Sequence, residues 1–195
     1  MAAPTPKRIT AEEYLEAERK AEFRSEFWLG HVYAMAGGTH RHSDICSNLN
    51  RFLQNRLAGR SCKVQGSDMK VGLTKKRGFS YPDISITCGE RRFFDNIGDV
   101  LTNPMAIFEV LSDSTRAFDL GRKFEEYRKL QSLRHYVLVE TNRRSITHYQ
   151  LDESGLWSIV QDLTAENDVL KLLDIELPLT EIYHQIELDP EPDIE

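Results

Sequence analysis

Two acidic residues stand inside segments that otherwise read as buried strands: Asp83 in Ser-Tyr-Pro-Asp-Ile-Ser-Ile and Glu109 in Ala-Ile-Phe-Glu-Val-Leu-Ser. Strand alternation puts Asp83 on the face of Ser85 and Thr87, with Ile84 and Ile86 opposite, and puts Glu109 with Ile107 and Leu111. A lone carboxylate in such a place loses hydration at a cost on the order of several kcal/mol unless it is paired or holds a cation. Two ionised carboxylates on neighbouring strands repel. A divalent metal reverses that repulsion, and Mg²⁺ takes oxygen ligands while keeping some of its waters. Downstream, Asp119 and Lys123 are spaced i, i+4 and share one helical face, with Glu126 and Tyr127 on or near the same stripe. A lysine held beside two metal-binding carboxylates can orient an attacking water and stabilise charge on phosphoryl oxygens. The metal lowers the water's pKa and polarises the phosphate. Two carboxylates, a cation and a lysine suffice for phosphodiester hydrolysis. Each residue alone is weak: Pro-Asp is a common turn dipeptide, and a helical lysine is usually solvated.

The elements that must position these groups follow from patterning. Thr10-Ala-Glu-Glu13 is a capping box that starts a short helix running to about residue 20. Residues 25–29 and 32–36 read as a hairpin turning at Leu29-Gly30-His31. Ile45, Leu49, Phe52, Leu53 and Leu57 mark one face of a helix over 42–58, closed by Gly59. Strands are expected over 63–73, 81–88 and 105–112, with a loop over 89–104. A second long helix is expected over 114–131, its apolar face made by Phe118, Leu120, Phe124, Tyr127 and Leu130. Strands over 134–140, 145–151 and 156–162, then a small element and a short helix, complete the chain. The order predicts a mixed α/β (α+β) fold, a central mixed sheet flanked by helices. One domain over 1–186 is expected, followed by an acidic, proline-broken tail over 187–195.

Composition is consistent with that reading. The 195 residues are 40% hydrophobic and 29% charged, ordinary for a globular chain. No apolar run approaches the roughly 18 residues needed to cross a bilayer, so no membrane span is expected. Three scattered cysteines, Cys46, Cys62 and Cys88, imply no disulfide framework, and a cytoplasmic location is the simplest. The net charge of −6 counts against a protein that coats nucleic acid indiscriminately. It does not exclude a nuclease, because a metal supplies positive charge where the scissile phosphate sits. Lys75-Lys76-Arg77 and Arg91-Arg92 read as solvated basic tips, and Phe23, Phe27, Trp28, Phe52 and Trp157 as core. His40, His42 and Cys46 form His-x-His-x₃-Cys, but no second ligand pair appears elsewhere to complete a structural zinc site.

Glu26 with Gly30 and Tyr33, then His42, Pro82-Asp83, Glu109-Val110-Leu111-Ser112, and Asp119 with Lys123 and Tyr127 together resemble the signature of the bacterial Uma-type restriction endonuclease family, within the PD-(D/E)XK nuclease superfamily. The resemblance spans residues 10 to 179. The 26-position step from Asp83 to Glu109 (109 minus 83), followed by Asp119 and Lys123, is its most specific part. It implies a restriction-endonuclease-like core and an Mg²⁺- or Mn²⁺-dependent endonuclease acting on DNA as a homodimer. It implies that Asp83, Glu109 and the Val110 carbonyl hold the metal and that Glu26 completes the acidic cluster. It further implies that Asp119 and Tyr127 position Lys123, with His42 as a neighbour of the site. The superfamily usually places its lysine two residues after the second acid, where this chain has Leu111; the resemblance moves that role to Lys123. Two rival readings are a nuclease-fold binding or assembly module without turnover, and a structural dimer scaffold.

Overall fold

A computed structural model describes residues 8–35, 37–112 and 116–189. Thr10 caps helix α1 (Ala11–Glu18): its hydroxyl accepts from the Glu13 N–H, and the Glu13 carboxylate accepts from the Thr10 N–H at 2.7 Å. Strands β1 (Ser25–Trp28) and β2 (His31–Ala34) pair antiparallel across a two-residue turn. Leu29 and Gly30 both have positive φ, 52° and 93°, as a hairpin turn of this handedness requires. Helix α2 (His40–Leu57) buries all five expected apolar residues, and Gly59 follows at φ +79°.

The strand expected over 63–73 is two strands, β3 (Cys62–Gly66) and β4 (Lys70–Gly72), in different sheets. Gly66-Ser67-Asp68 has turn chemistry, and the Met69 N–H closes the turn on the Gly66 carbonyl at 3.1 Å. After β5 (Gly78–Ser80), the strand β6 (Ile84–Cys88) begins later than expected. Pro82 has no N–H to give a ladder, so Asp83 lies in the link rather than in a strand. A short strand, β7 (Val100–Leu101), interrupts the expected loop, and β8 (Ala106–Leu111) follows. The helix expected over 114–131 is three pieces: α3 (Arg116–Phe118), a π turn (Asp119–Lys123) and α4 (Phe124–Tyr127). Residues 114 and 115 of that expected helix lie outside the described residues. Strands β9 (His135–Glu140), β10 (Ile146–Leu151), β11 (Trp157–Leu163), β12 (Val169–Leu172) and β13 (Ile175–Pro178) precede α5 (Leu179–Ile182).

The expected mixed sheet is the six-stranded one, in order β11-β10-β9-β8-β6-β3, parallel at β8–β9 and antiparallel elsewhere. A five-stranded sheet, β2-β1-β5-β4-β7, and the β12–β13 pair were not foreseen. One face of the large sheet, carrying Ile84, Ile86, Phe108 and Val110, packs with α2, α5 and the β12–β13 hairpin. The other face, carrying Ile107, Leu111, Tyr136 and Leu138, packs with the α3–α4 segment and with Trp28, Val71 and Leu73 of the second sheet. Helices therefore flank the sheet, and its two faces hold separate cores. Phe27, Trp28 and Phe52 are core residues as expected, Trp157 is half-buried, but Phe23 is 83% exposed. No helix among the described residues is long and apolar enough to cross a membrane. Within the expected tail, Leu188 packs on the core and the Asp189 N–H donates to the Asn142 carbonyl at 3.0 Å. Residues 190–195 lie outside the described residues.

The cysteine expectation is corrected: Cys62 and Cys88 form a disulfide. They are directly paired residues of β3 and β6, a contact that sequence separation hides. The bridge closes a loop of 26 positions, and loop-closure entropy sets its stabilisation at about 2–4 kcal/mol. Urea denaturation with and without reductant is expected to differ by that amount; superimposable curves would show the bridge contributes nothing.

A second stability determinant is a buried histidine pair. The His148 Nδ1–H donates to Gln161 Oε1 at 3.1 Å, so His148 Nε2 accepts from His135 Nδ1–H at 3.0 Å. Burial, then the charges of His148 and Arg134, push His135 down to about 4. A depressed folded value means the stabilisation is present above the unfolded value of about 6.5 and is lost as pH falls toward 4. The loss is about 3 kcal/mol across that window. Denaturation midpoints at pH 7.5 and 4.5 should fall more steeply for the parent than for His135→Gln; parallel losses would assign the acid sensitivity elsewhere.

Candidate active site

Strand β1 carries Glu26 and, two residues on and therefore on the same face, Trp28. The Trp28 indole N–H donates to Glu26 Oε2 and the Tyr81 backbone N–H donates to Oε1, both at 3.0 Å. Strand β8 carries Glu109, 2% exposed, on the face it shares with Ile107 and Leu111. The helical segment between α3 and α4 carries Asp119 and Lys123 at the two ends of the π turn, with Tyr127 closing α4. Wide turns of this kind are uncommon and occur frequently at functional sites. The Tyr136 hydroxyl donates to the Asp119 carbonyl at 2.9 Å and pins this one.

Lys123 Nζ is the hub. It lies 3.1 Å from Asp119 Oδ1, 3.2 Å from Glu109 Oε1 and 3.6 Å from Glu26 Oε1. The Tyr127 hydroxyl donates to Glu109 Oε1 at 3.1 Å, so Ser80 must be the donor in its 2.8 Å contact with Tyr127. Burial by itself would lower the Lys123 ammonium. Glu109, then Glu26 and Asp119, outweigh burial and raise it well above the ordinary lysine value. Each such pair is worth about 4 kcal/mol before desolvation is subtracted, so three of them decide the sign. Burial raises the Glu109 carboxyl well above its usual range; Lys123 opposes this, and Asp119, Asp83 and Glu26 reinforce it. The cluster thus carries more negative charge than its lysine balances.

Asp83 arrives from the β5–β6 link. Ile84 pairs with Phe108, so one residue further along the antiparallel register Asp83 comes level with Glu109. Its Oδ2 accepts the Val110 N–H at 2.7 Å, and its Oδ1 lies 3.2 Å from His42 Nε2. That contact raises His42, against burial. The His42 ring fits closely under the preceding loop: a Cβ on Gly38 would sit 2.9 Å from Nδ1. Asp83 and His42, with side chains 15% and 21% exposed, are the solvent-facing side of a site whose Glu109 and Lys123 are enclosed.

All the expected residues therefore converge: Glu26, His42, Asp83, Glu109, Val110, Asp119, Lys123 and Tyr127. Glu126 does not. It pairs instead with Arg77 at 3.0 Å and Lys129 at 2.8 Å. Lys76 pairs with Glu12 and Arg77 with Glu126, so these two basic side chains are engaged within the fold. Sequence reasoning missed the polar roles of Trp28, Ser80, Tyr81 and Tyr136. Only the i, i+2 spacing of Glu26 and Trp28 signals one of them; the others require the tertiary arrangement.

The donor set suits a hard divalent cation. Four carboxylates, Glu26, Asp83, Glu109 and Asp119, against the single Lys123 ammonium leave excess negative charge on oxygen donors. Asp119 Oδ1 is buried without a hydrogen bond and is ion-paired with the Lys123 ammonium at 3.1 Å.

Carboxylates delivered by β8 of the mixed sheet, by the β5–β6 link and by β1 of the second sheet, faced by a helix delivering a lysine, define a restriction-endonuclease-like nuclease domain. The chain belongs to the Uma2 family, described as "Putative restriction endonuclease", whose profile matches residues 11–180. Two proteins of Synechocystis sp. (strain PCC 6803) are similar along most of their length. Slr1290 is 33% identical over 181 residues, covering 93% of this chain and 94% of its own. Sll1609 is 34% identical over 167 residues, covering 86% and 94%. Both are described as uncharacterized proteins. Among solved structures, a "putative nuclease belonging to DUF820" from Anabaena variabilis matches with a TM-score of 0.73 at 16% identity, over 90% of this chain and 97% of that one. That likeness establishes the fold. Family and fold together support a nuclease function.

Proposed function

We propose that the chain is an Mg²⁺- or Mn²⁺-dependent endonuclease that hydrolyses phosphodiester bonds of DNA. The observation that carries this is the contact of one buried lysine, Lys123, with Glu109, Glu26 and Asp119, beside a solvent-facing Asp83. Asp83, Glu109 and the Val110 carbonyl would hold the cation, with Glu26 completing the acidic cluster. When bound, the cation lowers the pKa of a coordinated water and polarises the phosphoryl oxygen. Lys123, kept charged by its carboxylates, orients the attacking water and stabilises charge on the phosphoryl oxygens. Asp119 holds the ammonium from the opposite end of the π turn, and Tyr127 fixes Glu109 by donating to Oε1. Trp28 and Tyr81 fix Glu26. Cutting both strands of a duplex takes two centres, so the acting unit is a homodimer. The proposed working location is the cytoplasm, where DNA is available.

The test is conversion of supercoiled plasmid to nicked and linear forms with added Mg²⁺ or Mn²⁺. Asp83→Ala is expected to lose roughly 10²-fold or more in rate, because ligand geometry at the cation is lost. Equal cleavage by parent and variant would place the activity in a contaminant. Absence of cleavage together with no heat on Mn²⁺ titration would favour a module without turnover.

A further inference from the structure

Beside the proposed centre lies a group of different chemistry. His42 and Cys46 sit one turn apart on α2, with His42 Nδ1 3.7 Å from Cys46 Sγ. Asp83 Oδ1 approaches the other ring nitrogen at 3.2 Å. One ligand atom from each of the three residues lies within 4.8 Å of the others. Metal–ligand bonds of about 2.0–2.3 Å put tetrahedral ligand atoms roughly 3.5 Å apart, so rotamer adjustments close the difference.

We propose that His42, Cys46 and Asp83 form a second metal site, for Zn²⁺ or a similar borderline transition ion, whose occupancy withdraws Asp83 from the nuclease centre. The donor chemistry separates the two sites. Imidazole and thiolate favour Zn²⁺ and Co²⁺, whereas carboxylate and carbonyl oxygens favour Mg²⁺. Three protein ligands leave a fourth position for water. A cysteine binds as thiolate, so an ion must displace the Cys46 proton to bind. Only an ion with strong thiolate affinity does this, and Mg²⁺ does not. The shared Asp83 makes the two occupancies antagonistic, so Zn²⁺ acts as an inhibitor. That consequence rests on the nuclease reading; the site itself does not.

The experiment titrates the full chain with Co²⁺ in buffer free of thiols. Parent protein is expected to show a near-ultraviolet thiolate-to-Co²⁺ absorption saturating at one equivalent and abolished by Zn²⁺. Cys46→Ser and Cys46→Ala are expected to lose that band, and Glu109→Gln to keep it. Zn²⁺ is expected to suppress Mg²⁺-supported cleavage by the parent and to spare cleavage by Cys46→Ser. No band in the parent, or a band of undiminished intensity in both Cys46 variants, overturns the proposal. A band that depends on Cys46 in a protein that cleaves nothing upholds the site and overturns the nuclease reading instead.

Discussion

Glu109→Gln is expected to lower DNA cleavage by on the order of 10³-fold while leaving the fold at least as stable as the parent. Glutamine keeps the shape of the side chain, and its oxygen can still accept from Tyr127. What it removes is a negative charge held in a 2% exposed position, which burial already disfavours. Lys123 retains Glu26 and Asp119 as partners, so the ammonium is not stranded. The chemistry suffers because an amide is a far weaker cation ligand than a carboxylate and leaves the cluster less negative. Single-turnover plasmid cleavage and urea denaturation on the same preparation check both halves. Cleavage within a few-fold of the parent would remove Glu109 from the reaction.

Lys123→Ala carries the opposite signature: large losses in both activity and stability. Removing the ammonium leaves Glu26, Glu109 and Asp119 mutually repelling in an enclosed space. Breaking a buried ion pair from one side costs about 3–5 kcal/mol. A neutral partner relieves the repulsion, so Lys123→Ala with Glu109→Gln should recover part of the stability and none of the activity. Divalent cation should also raise the melting temperature of Lys123→Ala more than that of the parent, because it takes over the missing positive charge. If Lys123→Ala melts at the parent's temperature, the ammonium is not what holds these carboxylates together.

The two variants separate roles that a single activity assay would merge. Glu109 is expected to cost stability while serving the reaction, and Lys123 is expected to serve both. This division follows from burial: the site has more acids than its one lysine balances, so removing an acid relieves the cluster and removing the lysine aggravates it.

Much of the fold is visible in local patterning. The Thr10 capping box, the hairpin at Leu29-Gly30 and the apolar face of α2 depend on neighbours within a few residues, and each forms as expected. The expected strand over 63–73 is broken at Gly66-Ser67-Asp68, which sends its halves to different sheets, and the one expected over 81–88 begins only at Ile84, after Pro82. The helix over 114–131 reads as regular because apolar spacing tolerates one π turn without losing its stripe. Glu126, expected on or near the same stripe, pairs instead with Arg77 and Lys129.

The sequence alone determined the chemical inventory: two acids in apolar surroundings, a third acid in the first hairpin, and a lysine four residues after a fourth. Residue type and short-range spacing are written in the chain, and they single out Asp83, Glu109, Asp119 and Lys123, whereas Glu26 entered only through the family resemblance. Tertiary structure decided which groups meet. The β3–β6 register joins Cys62 to Cys88, the β6–β8 register sets Asp83 level with Glu109, and the packing of α2 on the sheet brings His42 and Cys46 to Asp83. Those contacts are set by packing between segments far apart in sequence, and local spacing carries no record of them.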